Sequence, residues 1–287
     1  MEAAVILNQD KRDRGEVAAA LADAGVAARI EWVDGGAIRE RAESAVEAGA
    51  KLVIVGGGDG SVSSAAQALA GTDATLGILP LGTLNHLARD LGLPATLAAT
   101  AQLIAAGHTR TIDVAEVNGR TFVNNSAIGL YPLMVVDREA QQHRLGRSKR
   151  LAMLVASVRT LARFHHQRLT LRADGGEARI DTPLLFVGNN DYQLAFPAAG
   201  RRDKLDDGRL CVMVMRKKGV PGFLAAVSRA LLGIPRPDDM VRLDDVQTLK
   251  VDSGRSTITL AIDGETVAMK PPLEFTIRPG ALKVIAP

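Results

Sequence analysis

The stretch that decides the fold is Lys51–Leu69, which reads KLVIVGGGDGSVSSAAQAL. It opens with a short apolar run rich in β-branched residues, Leu52–Val55, which predicts a buried strand. The run breaks into a glycine-rich turn around Asp59, and from Ser61 the apolar residues recur at helical spacing. A strand, a glycine turn and a helix N-terminus in succession can bind phosphate. Glycines permit close approach and positive φ, and the first helical amides point at the anion.

Two common phosphate loops are excluded by the details of this turn. No Gly-Lys-Ser/Thr ending follows, and Ser61 or Ser63 stands where a dinucleotide-binding fingerprint needs its last glycine. The distinguishing residue is Asp59, which repels phosphates unless a cation such as Mg²⁺ bridges to a nucleoside triphosphate. The alternative is an ordinary tight turn between strand and helix. The glycines of the turn are Gly56, Gly57, Gly58 and Gly60.

Composition limits the classes of function. Only 3% of the 287 residues are aromatic, which argues against the base-stacking platforms of nucleic-acid-binding proteins. The single cysteine, Cys211, excludes an intramolecular disulfide framework and suits a reducing cytoplasm. We find no signal peptide and no apolar run of the ~20 residues that a spanning helix needs. We therefore predict a cytoplasmic protein that contacts no nucleic acid and touches a membrane, if at all, peripherally.

The first part of the chain alternates strands with helices, which predicts βαβ units and a parallel sheet. Ligands of such sheets bind at the carboxyl ends of the strands, where the glycine turn falls. The predicted strands are Ala3–Leu7, Ala28–Trp32, Leu52–Val55 and Thr75–Leu79. The predicted helices are Glu16–Ala24, Ile38–Ala48, one from Ser61, His86–Leu91 and Thr96–Ala106.

From about residue 109 the pattern changes to short strands and polar turns. Asn118-Gly119, between Ile112–Val117 and Thr121–Asn125, is a strong type I′ hairpin signal. We predict a nucleotide-binding α/β domain at 1–110 and a β-rich, sandwich-like domain at 111–287. Whether the C-terminal end packs back on the first domain is left open. Further predicted strands are Leu169–Ala173, Thr182–Val187, Leu210–Met215, Thr248–Val251, Thr257–Ile262, Val267–Lys270 and Leu273–Arg278, with helices at Lys149–Phe164 and Gly222–Leu232.

Four segments resemble, in order, motifs of the diacylglycerol-kinase catalytic-domain family: GGGDGS, PLGTLNHLAR, DDGRL and IDGE. The first resembles the GGDGT motif that this family shares with sphingosine, ceramide and NAD kinases and with phosphofructokinases, with Ser61 in place of the usual threonine. The second resembles the lipid-kinase signature P-x-G-T-x-N-x-x-A-R. The resemblance covers nearly the whole chain and implies a Rossmann-like first domain, as in NAD kinases and phosphofructokinases.

This resemblance implies an ATP-dependent kinase that transfers the γ-phosphate in line to the hydroxyl of a lipid such as diacylglycerol, with Mg²⁺ as cofactor. Asn8, Thr83 and Asn85 are also natural helix caps, so a purely structural role stays open for each. The nucleotide-binding residues that the resemblance implies are Asn8, Gly56, Gly57, Gly58, Asp59, Gly60, Ser61, Thr83 and Asn85.

The resemblance also implies a catalytic carboxylate and a structural metal site. Asp263, with Glu265 as the close alternative, is the candidate base for a hydroxyl whose pKa lies far above neutrality. Asp-Gly between two strands is also a hairpin turn by itself. The carboxylate of Asp207, with the main-chain oxygens of Lys204 and Arg209, is the implied Mg²⁺ site; an acidic surface loop is the alternative.

The residues leave several questions open. The segment 146–168 reads as a basic amphipathic helix, which lies on an anionic membrane or packs on its own core. We accordingly predict a lipid substrate and a peripheral location at the inner membrane face, and leave a homodimer open. The alternatives are an NAD kinase-like enzyme with a soluble acceptor and a non-catalytic lipid or nucleotide sensor. No residue identifies the acceptor lipid.

Overall fold

The computed structural model describes residues 3–10, 14–130, 166–173, 176–193, 200–216, 219–232, 234, 236 and 238–287. Its helices are α1 (Arg14–Asp23), α2 (Ile38–Glu47), α3 (Asp59–Leu69), α4 (His86–Asp90), α5 (Leu97–Ala106) and α6 (Gly219–Leu231). Its strands are β1 (Ala3–Asn8), β2 (Ala28–Val33), β3 (Leu52–Gly57), β4 (Thr75–Pro80), β5 (Thr109–Val117), β6 (Arg120–Phe122), β7 (Asn125–Gly129), β8 (Gln167–Ala173), β9 (Gly176–Thr182), β10 (Leu184–Asn189), β11 (Leu210–Met215), β12 (Met240–Val246), β13 (Thr248–Asp252), β14 (Ile258–Ile262), β15 (Glu265–Met269) and β16 (Leu273–Ile285).

Four parallel strands in the order β2-β1-β3-β4 form one half of the larger sheet. Successive side chains of a strand point to opposite faces, so each strand can bury both. Val5 and Leu7 pack with apolar residues of α1 and α5, whereas Ile6 packs with residues of α2 and α3. Helices therefore cover both faces of the parallel strands, and the predicted α/β class of the first domain is confirmed.

The C-terminal strand β16 joins the two halves of the larger sheet. It runs antiparallel to β5 along most of its length, and its last residues, Lys283 and Val284, pair in parallel with Thr75 and Leu76 of β4. The C-terminal end thus completes the sheet of the first domain, the option that the sequence left open. The boundary at residue 110 stays a prediction.

A second sheet of six antiparallel strands, in the order β12-β11-β10-β7-β14-β15, lies over the other half of the first. Buried residues of both sheets form one apolar core, in which Phe122 and Phe275 meet edge to face with their ring centroids 6.4 Å apart. This is the predicted sandwich-like domain. In the hairpin, Asn118 and Gly119 both have positive φ, at 46° and 80°, as a type I′ turn requires.

Several sequence-based boundaries are wrong. The predicted strand Thr121–Asn125 is two strands, because β6 belongs to the first sheet and β7 to the second, so the chain crosses between sheets at residues 123–124. Strands β9 and β12 were not predicted. Strand β9 is mostly exposed and polar, and most of β12 is only partly buried. Helix α3 begins at Asp59 rather than Ser61, and α6 at Gly219 rather than Gly222. The predicted helix Lys149–Phe164 lies outside the described residues.

Candidate active site

The glycine turn follows β3, and its glycines are needed for close packing rather than for positive φ. A Cβ atom on Gly56 would stand 2.3 Å from Leu7 Cδ2, and one on Gly57 would stand 2.3 Å from Ser61 Oγ. No residue from 56 to 60 has a positive φ, which corrects that part of the prediction. Gly60 faces open space, because a Cβ atom there would meet no neighbour within 4 Å. The turn is therefore tightly packed behind and open in front.

The N-terminus of α3 opens onto that space. The first of its amides to find a helical partner is that of Val62, which donates to the Gly58 carbonyl at 3.1 Å. The preceding amides, at residues 59–61, have no helical acceptor, as in the first turn of any α-helix. Free amides and the positive end of the helix dipole together make a phosphate-binding geometry.

Asn8 ends β1 and ties it to the glycine turn. Its Nδ2 donates to Ser61 Oγ at 3.3 Å, and its Oδ1 accepts from the Asp10 amide at 2.9 Å. Asn8 is the last residue of β1 and residues 9 and 10 form a turn, so Asn8 does not stand at the N-cap position of a helix. Asn8 and Ser61 are both buried, so they fix the end of β1 against the first turn of α3 at the carboxyl edge of the sheet.

The second glycine loop follows β4 and lies directly against the first. Asn85, at φ 48°, donates from Nδ2 to the carbonyls of Pro80 and Gly82 and accepts the Gly82 amide on Oδ1 at 3.0 Å. Asn85 therefore folds its own loop and makes no side-chain cap for α4. A Cβ atom on Gly82 would stand 2.5 Å from Gly58 Cα, so only glycine lets the two loops touch. Thr83, in the same loop, is exposed to solvent.

Asp59 supplies the cap that Asn85 does not. Its Oδ1 accepts the amide of His86, the first residue of α4, at 2.5 Å. The acid of the glycine turn thus holds the two loops together, a role that sequence reasoning did not assign. Within the described part of the chain its Oδ2 accepts no hydrogen bond, which leaves one carboxylate oxygen for a cation. That oxygen type fits Mg²⁺.

Asp263 lies where the β14–β15 turn of the second domain meets α3 of the first. Its Oδ1 accepts the amides of Asn124 and Asn125 at 2.8 and 3.0 Å. Its Oδ2 accepts the Val123 amide at 2.9 Å and the Ser63 hydroxyl at 2.5 Å. The first three donors belong to the crossover between the sheets and the first residue of β7, and these amides donate to the carboxylate rather than to a strand carbonyl. The carboxylate of Asp263 takes the place of the missing ladder partner.

The electrostatic state of Asp263 reflects two opposed effects. Burial raises the pKa of the Asp263 carboxyl above its usual range, whereas the hydrogen bonds from Ser63 and the three amides lower it. Burial prevails, because desolvation disfavours the charged form. Ser63 is the only one of these donors on a side chain, so it alone can leave the carboxylate by rotating about χ1.

Glu265 has a different environment from Asp263. Its side chain is 57% exposed, and its Oε2 accepts Arg120 Nη2 at 2.7 Å. Asp263 also has a positive φ of 46°, followed by Gly264 at 87°, so the pair does form the turn expected of Asp-Gly. The turn and the site are therefore not exclusive alternatives, because Asp263 belongs to both.

An apolar cavity of about 340 Å³ opens next to this carboxylate. Asn125, whose amide binds Asp263, lies in its wall, and so does His86 at the start of α4. Burial raises the pKa of Tyr192, in the same wall, to about 12, so its hydroxyl stays protonated. The apolar and aromatic lining residues are Ala127, Leu184, Phe186, Tyr192, Met213 and Met240.

The predicted metal loop has a mixed environment. Asp207 Oδ1 lies 3.7 Å from Lys204 Nζ and 4.0 Å from Arg209 Nη2, and the Asp207 amide donates to Asn190. Main-chain oxygens and one carboxylate are ligands that fit Mg²⁺, although the Lys204 ammonium would have to move aside. Among the described residues no three His, Cys, Asp or Glu side chains cluster as a metal site. The Mg²⁺ site of Lys204, Asp207 and Arg209 stays a prediction.

Sequence reasoning missed Ser63, Asp90 and Arg202. Arg202 is 3% exposed and sits within a segment of charged residues that reads as surface. Asp90 follows Arg89 in a short helix, and its side chain is 2% exposed. Charged residues are rarely fully buried, so composition gives no signal for such positions. The leucines on either side of Asp90, Leu87 and Leu91, are the one signal in the sequence, and they do not distinguish a buried acid from an exposed one.

Comparison with known proteins places this architecture in a family. The family model of the diacylglycerol kinase catalytic domain matches residues 3–117, and that of the YegS C-terminal NAD kinase beta sandwich-like domain matches residues 134–286. A Pseudomonas syringae pv. syringae (strain B728a) protein described as "Probable lipid kinase YegS-like" is 31% identical over 263 residues, 90% of this chain and 83% of its own. The diacylglycerol kinase of Bacillus subtilis (strain 168) is 27% identical over 224 residues, 77% and 73% of the two chains.

Solved structures share the fold. A diacylglycerol kinase from Bacillus anthracis str. Sterne has a TM-score of 0.72 at 22% identity, over 100% of this chain and 97% of its own. An NAD kinase from Archaeoglobus fulgidus in complex with ATP has a TM-score of 0.55 at 12% identity, over 99% and 93%. These structures share one architecture with this chain, an α/β domain followed by a sandwich-like domain. The chain belongs to the diacylglycerol kinase catalytic-domain family of lipid kinases.

In the part of the chain that the structure describes, no helix has the length and apolarity to cross a membrane.

Proposed function

We propose that this protein transfers the γ-phosphate of ATP to the hydroxyl of a lipid, with Asp263 as general base. The observation that carries the proposal is the 2.5 Å contact between Asp263 Oδ2 and Ser63 Oγ. It brings a buried carboxylate of raised pKa onto the helix whose N-terminus follows the glycine turn. A base of raised pKa and a phosphate-binding helix end are the two parts that such a transfer needs.

In the proposed reaction the acceptor hydroxyl replaces the Ser63 hydroxyl on Asp263. The carboxylate takes the hydroxyl proton, the freed oxygen forms a bond to the γ-phosphorus, and the bond from that phosphorus to the β–γ bridging oxygen breaks, so that ADP leaves. Amides at the start of α3 and the open space at Gly60 receive the phosphates. Mg²⁺, held by Asp59 and the phosphates, would neutralise their charge when bound.

The cavity favours a lipid over a soluble acceptor. Its volume of about 340 Å³ lies within the ordinary range for ligand pockets, and its wall is mostly apolar and aromatic. Asn125 lines this wall, and its amide also binds Asp263. An acceptor lipid whose apolar chain filled the cavity would therefore place its polar end near the base. The polar groups of NAD would find few hydrogen-bond partners on such a wall, and burying them unpaired is costly.

We also propose peripheral contact with a membrane on the cytoplasmic side. Three large apolar side chains in and after α6 are unusually exposed: Leu224 at 44%, Leu232 at 73% and Ile234 at 60%. Exposed apolar side chains near arginines such as Arg236 are suited to an anionic lipid surface. Sedimentation with phosphatidylglycerol vesicles, against phosphatidylcholine vesicles, tests this part; equal, negligible binding to both would refute it.

The test of the function is transfer from γ-labelled ATP with Mg²⁺ into a mixed lipid extract, run beside NAD in the same buffer. We expect label in the organic phase, and chromatography then identifies the acceptor. Label on NAD alone would replace the proposal by an NAD kinase activity. Label in neither, with ATP still bound, would support a sensor that keeps the fold without turnover.

A further inference from the structure

The crossover at residues 123–124 is held from both sides. Its amides donate to Asp263, while its acceptors point the other way. The Val123 carbonyl accepts from Asn189 Nδ2 at 3.0 Å and from Arg202 Nη1 at 2.5 Å. The Asn124 side-chain oxygen accepts from Arg202 Nη2 at 3.0 Å. The strand-to-strand step that positions the candidate base is therefore held by Arg202 together with Asn189, whose amide also donates to the Asn124 carbonyl at 2.8 Å.

Arg202 is anchored by Asp90, a residue of the other domain. Its Nε donates to Asp90 Oδ2 at 2.8 Å, with the arginine side chain 0% and the aspartate side chain 2% exposed. The planar guanidinium presents its donors in a fixed fork, so four acceptors in different directions, the Asn189 carbonyl at 3.2 Å among them, determine its orientation. Its face lies 5.3 Å from the centre of the Tyr192 ring, which packs one side of the group.

Asp90 also links this cluster to the glycine turn. It ends the five-residue helix α4, whose first amide, that of His86, is held by Asp59 Oδ1. A short helix thus has the acid of the glycine turn at one end and Arg202 at the other. The chain of contacts runs from Asp59 through α4 and Arg202 to the backbone that holds Asp263.

Fold stability is a poor explanation for this ion pair. Asp90 Oδ1 is buried and has no hydrogen-bond partner among the described residues, and Arg89 Nε comes no closer than 3.8 Å. Removing two charges from water is costly, and a pair with an unsatisfied oxygen recovers that cost incompletely. Apolar side chains of similar size stabilise a fold as well or better. What they lack is directional hydrogen bonding, which is what the crossover receives here.

We propose that Arg202, fixed by Asp90, is a positioning residue that sets the place of Asp263 relative to the glycine turn. The proposal rests on the proposed function for its consequence, since a displaced base slows transfer. The structural part, that Arg202 holds residues 123–125, stands separately. Neither residue touches the acceptor or the phosphates in the proposed reaction, and both act through the crossover backbone.

The experiment compares the wild type with the double variant Asp90→Leu/Arg202→Met, which removes both charges together so that no lone charge is left buried. We expect kcat for lipid phosphorylation to fall by about 10²-fold, the cost of a roughly 1 Å displacement of a catalytic group. KM for ATP should be unchanged, because the amides of α3 are untouched. Amide hydrogen exchange at residues 123–125 should accelerate, with the rest of the protein protected as before.

Two further variants keep the test strict. Arg202→Lys keeps the charge but cannot reach Asp90 and both crossover acceptors at once, so we expect kcat to stay low. The control is Arg172→Met/Glu177→Gln, which removes an ion pair between β8 and β9 at the far edge of the first sheet. This control should leave kcat and the exchange of residues 123–125 unchanged.

Each outcome decides the matter. Unaltered exchange at residues 123–125 in the double variant would overturn the proposal, whatever the activity. Faster exchange with unaltered kcat would overturn the positioning role, and so would full activity in Arg202→Lys. Failure of the proposed function has a different signature: the wild type labels no lipid, or Asp263→Asn keeps full kcat, while the exchange result still reports whether Arg202 holds the crossover.

Discussion

Two Asp-Gly dipeptides, Asp207-Gly208 and Asp263-Gly264, place their carboxylates among very different partners. The carboxylate of Asp263 points inward and accepts four hydrogen bonds, three of them from backbone amides of another segment. The carboxylate of Asp207 lies between Lys204 and Arg209 at 3.7 and 4.0 Å, a distance of charge pairing rather than hydrogen bonding. The dipeptide favours a turn in both places, but it does not determine what the acid does.

The difference between the two comes from what each turn faces. Asp263 faces a crossover between sheets, where backbone amides without a ladder partner need an acceptor. The Asp207 side chain is 13% exposed, but the Lys204 and Arg209 side chains that it faces are 69% and 37% exposed and lie beyond hydrogen-bond distance, so these ion pairs are weak and can rearrange. The carboxylate of Asp263 is therefore fixed by the fold, whereas the cations around Asp207 can move aside.

The largest expected effect is at the Asp263 turn. Asp263→Asn removes the base and should lower kcat for lipid phosphorylation by roughly 10²–10⁴-fold, the usual contribution of general-base catalysis. Glu265→Gln is the matched control, two residues away and half exposed, and should cost far less. Labelled-phosphate transfer and thermal melting of both variants check this. Full activity in Asp263→Asn together with a large loss in Glu265→Gln, at equal melting temperature, would shift the role of base to Glu265.

The pH profile of the wild type sharpens the same assignment. A base works only when deprotonated, and burial raises the pKa of Asp263, so kcat should fall as the pH drops through a value above the usual range of aspartate. Below that value, kcat should fall tenfold per pH unit. If the acidic limb of the wild-type profile has a pKa within the ordinary aspartate range, the assignment of a buried base is contradicted.

A third Asp-Gly dipeptide, Asp59-Gly60, tests whether the open face of a turn binds phosphate. Gly60→Ala adds a methyl group into empty space, so the melting temperature should hold while KM for ATP rises by at least about tenfold, or about 1.4 kcal/mol. Gly82→Ala is the contrasting variant, since its methyl group would collide with Gly58 and should cost about 1–3 kcal/mol of stability. Unchanged ATP kinetics in Gly60→Ala would place the phosphates elsewhere.

The cavity next to the Asp263 turn predicts a smaller, selective effect. Ala127→Leu fills part of its apolar wall and should raise KM for the lipid acceptor by about tenfold, the worth of one to two lost methylene contacts. KM for ATP should not change, because Ala127 lies on the second sheet, away from the glycine loops. Steady-state kinetics against each substrate in turn check the split. A rise in KM for ATP alone would contradict an acceptor site here.

The smallest effect is expected at the Asp207 turn. If Mg²⁺ binds there, adding it without nucleotide should raise the melting temperature by roughly a few degrees, and Asp207→Asn should abolish that rise. Asp206→Asn is the neighbouring control, because Asp206 pairs with Arg110 instead. An identical Mg²⁺ response in wild type and Asp207→Asn would leave Lys204 and Arg209 as the cations that neutralise Asp207.

Much of the fold was predictable because its signals are local. The apolar runs of β1, β3 and β4 and the glycines that follow them indicate parallel strands and a ligand edge without any tertiary information. The hairpin at Asn118-Gly119 is equally local, since only residues that tolerate positive φ form it readily. Strand β9 was missed because its mostly exposed residues carry no apolar pattern.

The site was predictable only in part. The sequence singled out Gly56, Gly57 and Asp59 for phosphate binding, and the structure gives each a packing role as well: close contacts with Leu7 and Ser61 require the glycines, and the acid caps α4. Asp263 was found as part of a turn, while its donors lie about 140 and 200 residues earlier in the chain. No local pattern can report a contact across such a separation.

The sequence by itself determined the parallel sheet, the glycine turn at its carboxyl edge and the order of the two domains, because each follows from hydrophobic period and backbone freedom over a few residues. The tertiary structure alone decided which charges are buried and what they hold. Arg202 and Asp90 look like surface residues in the sequence, and they become interior only because two sheets and α4 meet around them. Burial of a charge depends on the surfaces that close over it, and those come from distant parts of the chain.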